Sequence, residues 1–257
     1  TVLANEQVKP CAADNGEEYN GCDRCKQKVI QKPLKQWFFK ITDYAEELLN
    51  FDSLDWPQKT VLMQQHWIGK SEGAEIEFNI DSHPLKIKIY TTRPDTIYGA
   101  TYVVLSPENE LLQSIVSKDY SKAVNNYIEK AKLKNELERT DLNKDKTGVF
   151  SGAYAINPIT NQKVPIWVAD YVLSGYGTGA VMAVPGHDLR DHEFASKYDL
   201  EVAKVIDCDD SDIPYTGDGE LINSELLNGL SVQEAKSKII SYIDKEQLGS
   251  KHTNYKL

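Results

Sequence analysis

The sequence predicts a mixed α/β fold: a largely antiparallel, β-barrel-like core with surrounding helices, preceded by an N-terminal flank of helices and loops. Three observations predict it. Ile76, Phe78 and Ile80 alternate with polar residues, and Ile87 and Ile89 repeat that period-2 pattern. Further strand-like segments are separated by stretches with helical spacing. No internal repeat or low-complexity tract interrupts the series.

The 257 residues suit one main domain with an appendage. Hydrophobic residues make up 40% and charged residues 26%, the balance of a globular protein outside the bilayer. No apolar run approaches the ~20 residues that span a membrane, and no signal-peptide core opens the chain. A cytoplasmic location without membrane contact is therefore expected. The net charge of −10 argues against a domain that grips a phosphate backbone by itself.

Residues 1–32 are polar, and Ala12 to Gly21 reads as a loop. Lys35 to Asn50 predicts an amphipathic helix with Trp37, Ile41, Tyr44, Leu48 and Leu49 on one stripe. Pro57 opens a second helix to about Trp67, and Gly69 and Gly73 punctuate the chain beyond it. From Ala74 the alternating residues predict a hairpin turning at Asp81-Ser82. Tyr98–Leu105 predicts a third strand, and Glu108–Val116 and Ser121–Leu137 predict two helices. Val149–Ile156 and Val164–Leu173 predict strands bracketing Asn157-Pro158-Ile159-Thr160-Asn161. Ala180–Val184 is a short apolar strand ended by Pro185-Gly186. Asp188–Tyr198 predicts a helix, Val202–Ile206 a strand, and Val232–Glu246 a last amphipathic helix.

Cys11, Cys22, Cys25 and Cys208 are too sparse for a disulfide scaffold. Cys22 and Cys25 form one C-x-x-C, half of the four-ligand set of a structural zinc site, and unpaired thiols are the simpler reading.

Three motifs could carry chemistry. Gly175-Tyr176-Gly177-Thr178-Gly179-Ala180 fits a dinucleotide-loop pattern, but that pattern needs a helix straight after the glycines. Here a strand comes next, so a glycine-rich bend is the better reading. In His187-Asp188-Leu189-Arg190-Asp191-His192-Glu193, Asp188 suits a helix N-cap and Asp191 the first turn. That leaves His187 and Arg190 unexplained; an organic active site and a metal site both stay open. Thr91-Thr92-Arg93-Pro94-Asp95-Thr96 crowds hydroxyls and charges at a strand end, where scaffolds place functional groups. A plain turn fixed by Pro94 is the alternative.

Together the last two motifs resemble one family. Thr91 to Thr96, followed by Tyr98-Gly99-Ala100-Thr101, resembles the threonine-rich loop of bacterial-type leucyl-tRNA synthetases. Gly177 to Asp188, with Arg190-Asp191 and Glu193-Phe194-Ala195, resembles the second signature of their editing domain, the connective polypeptide. Thr1 to Val8 and Trp67 to Gly73 are also similar. The related isoleucine and valine enzymes share the threonine frame, but Asp95 and the R-D-x-E-F-A run favour the leucine enzyme. The ATP-site signatures H-I-G-H and K-M-S-K-S do not occur. The resemblance thus implies an editing domain over 69–257 and a flank, 1–68, from the parent catalytic body.

The implied activity is hydrolysis of the aminoacyl ester of mischarged tRNA-Leu, with isoleucine, norvaline or methionine attached. Methylene-sized differences are worth only ~1–3 kcal/mol in an apolar pocket, so a second, hydrolytic sieve is needed. The resemblance places Asp191 against the α-ammonium, and Thr91 and Thr92 on the terminal ribose and the attacking water. Thr96 becomes the gate that excludes leucine, and Met182 and Val184 line the amino-acid pocket. Arg93 meets the terminal phosphate and Asp95 braces the loop. Tyr176, His187 and Asp188 fall on the substrate side. No metal or cofactor is implied for editing; ATP, and zinc through a knuckle including Cys22 and Cys25, belong to the full-length enzyme. Implied partners are the 3′-terminal adenosine of tRNA-Leu, the parent body in cis, and boron compounds that form adducts with terminal adenosine. Two other functions compete: a metal-dependent hydrolase using His187, Asp188, Asp191 and His192, and a passive RNA 3′-end binding module.

Overall fold

Side-chain alternation around residues 74–89 becomes the hairpin at one end of a seven-stranded sheet. The computed structural model describes residues 2–13, 16, 18–30, 35–134, 138–139, 145–175 and 177–257. At the N-terminus β1 (Val8–Ala12) pairs antiparallel with β2 (Glu18–Cys22), with Val8 opposite Cys22. The sequence reads as loop-like here because the small ribbon has no buried face to impose a period; its regularity comes from backbone pairing.

The helix expected over 35–50 is corrected. Residues 35–40 are non-helical, Ile41–Tyr44 forms a 3-10 turn, and only α1 (Ala45–Leu48) is α-helical. An amphipathic helix is stabilised chiefly by burying its apolar stripe. Here Trp37 is fully exposed and Ile41, Tyr44 and Leu48 are also exposed, so most of the stripe is left uncovered. α2 (Gln58–Ile68) behaves as expected, with Pro57 as its N-cap and Gly69 ending it in the left-handed region.

β3 (Ser71–Ile80) and β4 (Lys86–Thr91) form the expected hairpin, with Ile76 opposite Ile89 and Phe78 opposite Ile87, all fully buried. The strand expected from Tyr98 is shortened. Pro94–Gly99 is a 3-10 helix and β5 spans Tyr102–Leu105. Pro94 sits at the helix start, where its fixed φ is compatible and its missing N–H costs nothing. α3 (Leu112–Ile115) is a single turn; α4 (Lys118–Ala131) starts three residues before its predicted start. The predicted end of α4, at 135–137, lies outside the described residues. β6 (Gly148–Ile156) and β7 (Lys163–Ala169) pair antiparallel, with an irregularity between Phe150 and Tyr154. Then come β8 (Ala180–Ala183), α5 (Leu189–Tyr198) and α6 (Val232–Lys245), the last opened by a Ser231–Glu234 capping box. β9 (Gly249–Asn254) was not expected from the sequence; it pairs with β3, Ser71 opposite Asn254.

The expected strand at Val202–Ile206 is absent, apart from one bridge between Ile206 and Leu221. The reason is visible in its donors. The N–H groups of Val205 and Ile206 go to His187 Nε2, at 2.9 and 3.2 Å, instead of to a neighbouring strand.

The strand order is β4-β3-β6-β7-β5-β8, with β9 on β3. All pairs are antiparallel except β5 with β7. The expected largely antiparallel α/β core is present, and among the described residues its hydrogen-bonded path does not close into a barrel. Its two end strands, β4 and β8, do come close in space. β8 is four residues long, makes its ladder with β5, and is followed closely by Pro185, which cannot donate to a ladder. Alternation along β5 and β8 separates two cores. Val103, Leu105 and Met182 face the main core with Ile76, Phe78 and Ile89. Tyr102, Val104 and Ala183 face Phe194 and Ala195 of α5 on the other side. Among the described residues no helix is long and apolar enough to cross a membrane.

Candidate active site

The threonine loop leaves the end of β4 in a conformation held by its own side chains. Thr91 Oγ1 accepts the Arg93 N–H at 3.0 Å, and the Thr96 hydroxyl donates to the Arg93 carbonyl at 2.9 Å. That second bond holds the β-branched Thr96, 2% exposed, in one rotamer. Arg93 reaches Asp95 with two nitrogens: Nε lies 3.1 Å and Nη2 2.9 Å from Oδ2. Asp95 is fully buried and Arg93 is partly exposed. A buried carboxylate is tolerable only when paired in this way, so Asp95 braces the loop through Arg93. Thr92 is exposed. β3 passes under the loop at Gly73, where a Cβ would lie 2.0 Å from the Thr91 carbonyl oxygen; only glycine admits that approach.

The second motif starts where β8 ends. Asp188 caps α5, and its Oδ1 accepts the N–H groups of Arg190 and Asp191 at 2.9 and 3.2 Å. Asp191 lies in the first turn with its carboxylate turned back toward β8. Its Oδ2 accepts the Val184 N–H at 2.8 Å, and the Tyr171 hydroxyl stands 3.5 Å from Oδ1. The Tyr102 hydroxyl donates to the Asp191 main-chain carbonyl at 2.9 Å. Burial pushes the Asp191 carboxyl up to about 7, and the neighbouring Asp188 charge adds to this. The N–H of Val184, Arg190 and the Tyr171 hydroxyl act the other way. The site thus holds a buried carboxyl that takes up its proton far more readily than an exposed aspartate does.

His187 links the two motifs. Its Nδ1 donates to the Tyr215 carbonyl at 2.8 Å while Nε2 receives the two N–H groups already described. Burial pushes its imidazole below the ordinary histidine value, and the Arg93 charge acts in the same direction. His187 is therefore neutral with both nitrogens engaged, and it anchors residues 205–206 and 215 behind the loop. Met182 and Val184 are buried in the main core, and Val184 crowds Gly99, where a Cβ would lie 3.2 Å from Val184 Cγ1. Tyr176 lies outside the described residues.

A metal-hydrolase arrangement would need His187, Asp188, Asp191 and His192 to converge. His187 has no free nitrogen, Asp188 is turned to the helix N–H groups, and His192 Nδ1 meets the Pro185 carbonyl at 3.0 Å. Among the described residues no group of three or more His, Cys, Asp or Glu side chains is placed to hold a metal ion. Cys11, Cys22, Cys25 and Cys208 are free thiols. Sequence reasoning missed Tyr102 and Tyr171. Their only signal is a tyrosine at the edge of each apolar strand, and nothing in that pattern points to Asp191.

Residues 65–244 match the family model described as leucyl-tRNA synthetase, editing domain. The chain belongs to the leucyl-tRNA synthetase editing-domain family. It is 54% identical to a leucine–tRNA ligase of Clostridium tetani and 51% identical to one of Elusimicrobium minutum, in each case over the whole chain. It spans about 30% of the length of these relatives. Among solved structures it is similar to the Agrobacterium radiobacter K84 agnB2 LeuRS, crystallised as a ternary complex with tRNA and LeuAMS. The TM-score is 0.72 at 32% identity, over 92% of this chain and 27% of that one. The matched range includes both the threonine loop and the α5 motif.

Proposed function

We propose that this chain is the proofreading part of a leucine–tRNA ligase and hydrolyses the ester of mischarged tRNA-Leu in the cytoplasm. The observation that carries the reading is Asp191: a buried carboxyl, held by the Val184 N–H beside the apolar Met182–Val184 segment, in a chain of the editing family. That is the environment in which an α-ammonium is bound by charge and its side chain by apolar contact.

The remaining roles are in keeping with the geometry. The Thr91 and Thr92 hydroxyls orient the terminal ribose and the attacking water. Thr96, with its hydroxyl turned to Arg93, presents its methyl as the gate against leucine. Arg93 shares its charge between Asp95 and the terminal phosphate. His187 and Asp188 act from behind, one holding the loop's support and the other capping α5; Tyr176, outside the described residues, keeps the adenosine-side role that the resemblance implies. Water attacks the ester carbonyl, the carbonyl–O(ribose) bond breaks, and the ribose oxygen takes up a proton. Amino acid and intact tRNA are released. No cofactor takes part. Residues 1–68 belong to the parent body, which carries ATP chemistry, zinc binding by a knuckle containing Cys22 and Cys25, and most of the grip on tRNA. Boron compounds that bridge the cis-diol of terminal adenosine are expected to lodge on the threonine side.

The test is deacylation of isoleucyl- and norvalyl-tRNA-Leu by the chain and by Asp191→Ala. Wild type releases the amino acid, and the variant loses at least about 100-fold with its circular dichroism unchanged. Near-wild-type hydrolysis by the variant refutes the assignment. Turnover that stops with a chelator would favour a metal-dependent hydrolase, and tight binding of terminal adenosine without turnover a passive binding module.

A further inference from the structure

Asp191 is held at four points, and only one of them, its N–H bond to Asp188, is ordinary helix capping. Its N–H goes to Asp188, and Val184 N–H comes to its Oδ2. The other two contacts are tyrosine hydroxyls from separate elements. Tyr102 of β5 takes the main-chain carbonyl, and Tyr171, two residues beyond β7, faces the free carboxylate oxygen. Main chain and side chain of one residue are therefore gripped by different rings.

Tyr171 is itself fixed with unusual thoroughness for a residue in a turn. Arg139 Nε donates to the Asp170 carbonyl at 2.6 Å, and Nη2 donates to the Val172 carbonyl at 2.9 Å. The two bonds straddle Tyr171. The same guanidinium is bridged to Glu108 at 2.7 Å and its side chain is only 7% exposed. From the other side the Tyr171 ring meets Phe194 edge-on, with centroids 5.8 Å apart. Phe194 lies on α5, one turn beyond Asp191. A buried tyrosine needs a partner for its hydroxyl; here the hydroxyl stands 3.5 Å from the Asp191 carboxylate.

We infer that Tyr171 is a positioning residue for Asp191, its hydroxyl holding Oδ1 in the orientation that receives the substrate ammonium. This rests on the proposed editing reading. The 3.5 Å separation suits the resting site, where burial disfavours the ionised carboxylate and a neutral pair makes a long contact. An arriving ammonium favours the ionised carboxylate, any proton on Asp191 leaving to solvent, and a phenol bond to a carboxylate is shorter and stronger than one to the neutral acid. The other groups facing Asp191 are Asp188 and Arg190 at the start of α5, Tyr102 from β5, and the Val184 N–H after β8. Tyr102 donates to the Asp191 main-chain carbonyl and its hydroxyl also meets that of Tyr171, so the two phenols form one pair beside Asp191; neither Asp188 nor Arg190 is hydrogen-bonded to Oδ1.

The experiment compares two non-hydrolysable probes by calorimetry: norvalyl adenosine with an amide in place of the ester, and its des-amino counterpart lacking the α-ammonium. Wild type is expected to bind the amino probe more tightly than the des-amino probe. Tyr171→Phe keeps the ring on Phe194 and is expected to weaken the amino probe about 3–10-fold, leaving the des-amino probe within about twofold. Equal affinity of variant and wild type for the amino probe overturns the inference. Equal losses on both probes also overturn it, because they assign the hydroxyl to folding. Wild type binding both probes alike refutes the ammonium-binding role of Asp191 first, and separates failure of the editing reading from failure of this one.

Discussion

The α5 side of the sheet and the N-terminal flank are built from similar residues with opposite outcomes. Phe194 is fully buried among Tyr102, Trp167 and Tyr198, its ring 5.5 Å from Tyr102 and 4.6 Å from Tyr198. Trp37, Phe38 and Phe39 are between 84% and 100% exposed. Aromatic content does not separate the two. The rings around Phe194 arrive from three elements: β5, β7 and α5 itself. The flank aromatics are consecutive in sequence and meet no second layer. Burial is a property of converging elements, and in the described residues only the sheet side has them.

Phe194→Ala should cost about 3–5 kcal/mol, because the cavity sits among rings that cannot collapse into it. It should also displace α5 and with it Asp191. A urea midpoint unchanged from wild type would mean that the α5 core is not a unit.

Asp191 gives the next effect. Its carboxyl is raised to about 7 in the folded chain, against about 3.9 for an unfolded aspartate. The folded state therefore holds the extra proton between those values, and stability falls as pH rises from about 4 to about 7. Asp191→Asn removes that loss, so its stability relative to wild type should grow across this window by roughly 2–4 kcal/mol. Parallel Tm curves for the two proteins from pH 4 to pH 8 would show that the carboxyl is not strained.

Thr96→Ala is smaller in energy and sharper in meaning. Removing the gate's methyl and hydroxyl should let leucyl-tRNA-Leu be hydrolysed at least about tenfold faster, a gain set by methylene-scale contacts. Leucyl-tRNA spared as fully as by wild type would move the gate elsewhere. At the bottom of the scale, Phe39→Ala should change stability by no more than about 0.5 kcal/mol. A larger cost would show that the flank packs in solution.

Much of the core was legible locally. The Ile76–Ile80 and Ile87–Ile89 alternation specifies a hairpin register because a one-residue slip would turn every isoleucine outward. Asp188 announces the α5 cap. Where expectation failed, a distant partner decided. Val202–Ile206 looks like a strand, but its donors are taken by His187. β9 carries no apolar alternation in Gly249 to Asn254, and it is a strand because β3 offers an edge. The helix expected through Trp37 had the right spacing, but most of its stripe is left uncovered.

The site divides in the same way. The threonine loop, Asp188 and Asp191 stand out in the sequence because their chemistry is dense and their spacing local. The residue order already contains the Pro94 stop, the Arg93–Asp95 brace two positions apart, and the carboxylate in the first turn of α5. It does not contain what surrounds that carboxylate. Val184, Tyr102 and Tyr171 reach Asp191 from 7, 89 and 20 residues away, and burial, a collective property of those contacts, shifts its ionisation. Short-range stereochemistry and capping act within a few residues and can be read along the chain. Desolvation and hydroxyl placement depend on which elements pack together, so they exist only in the folded molecule.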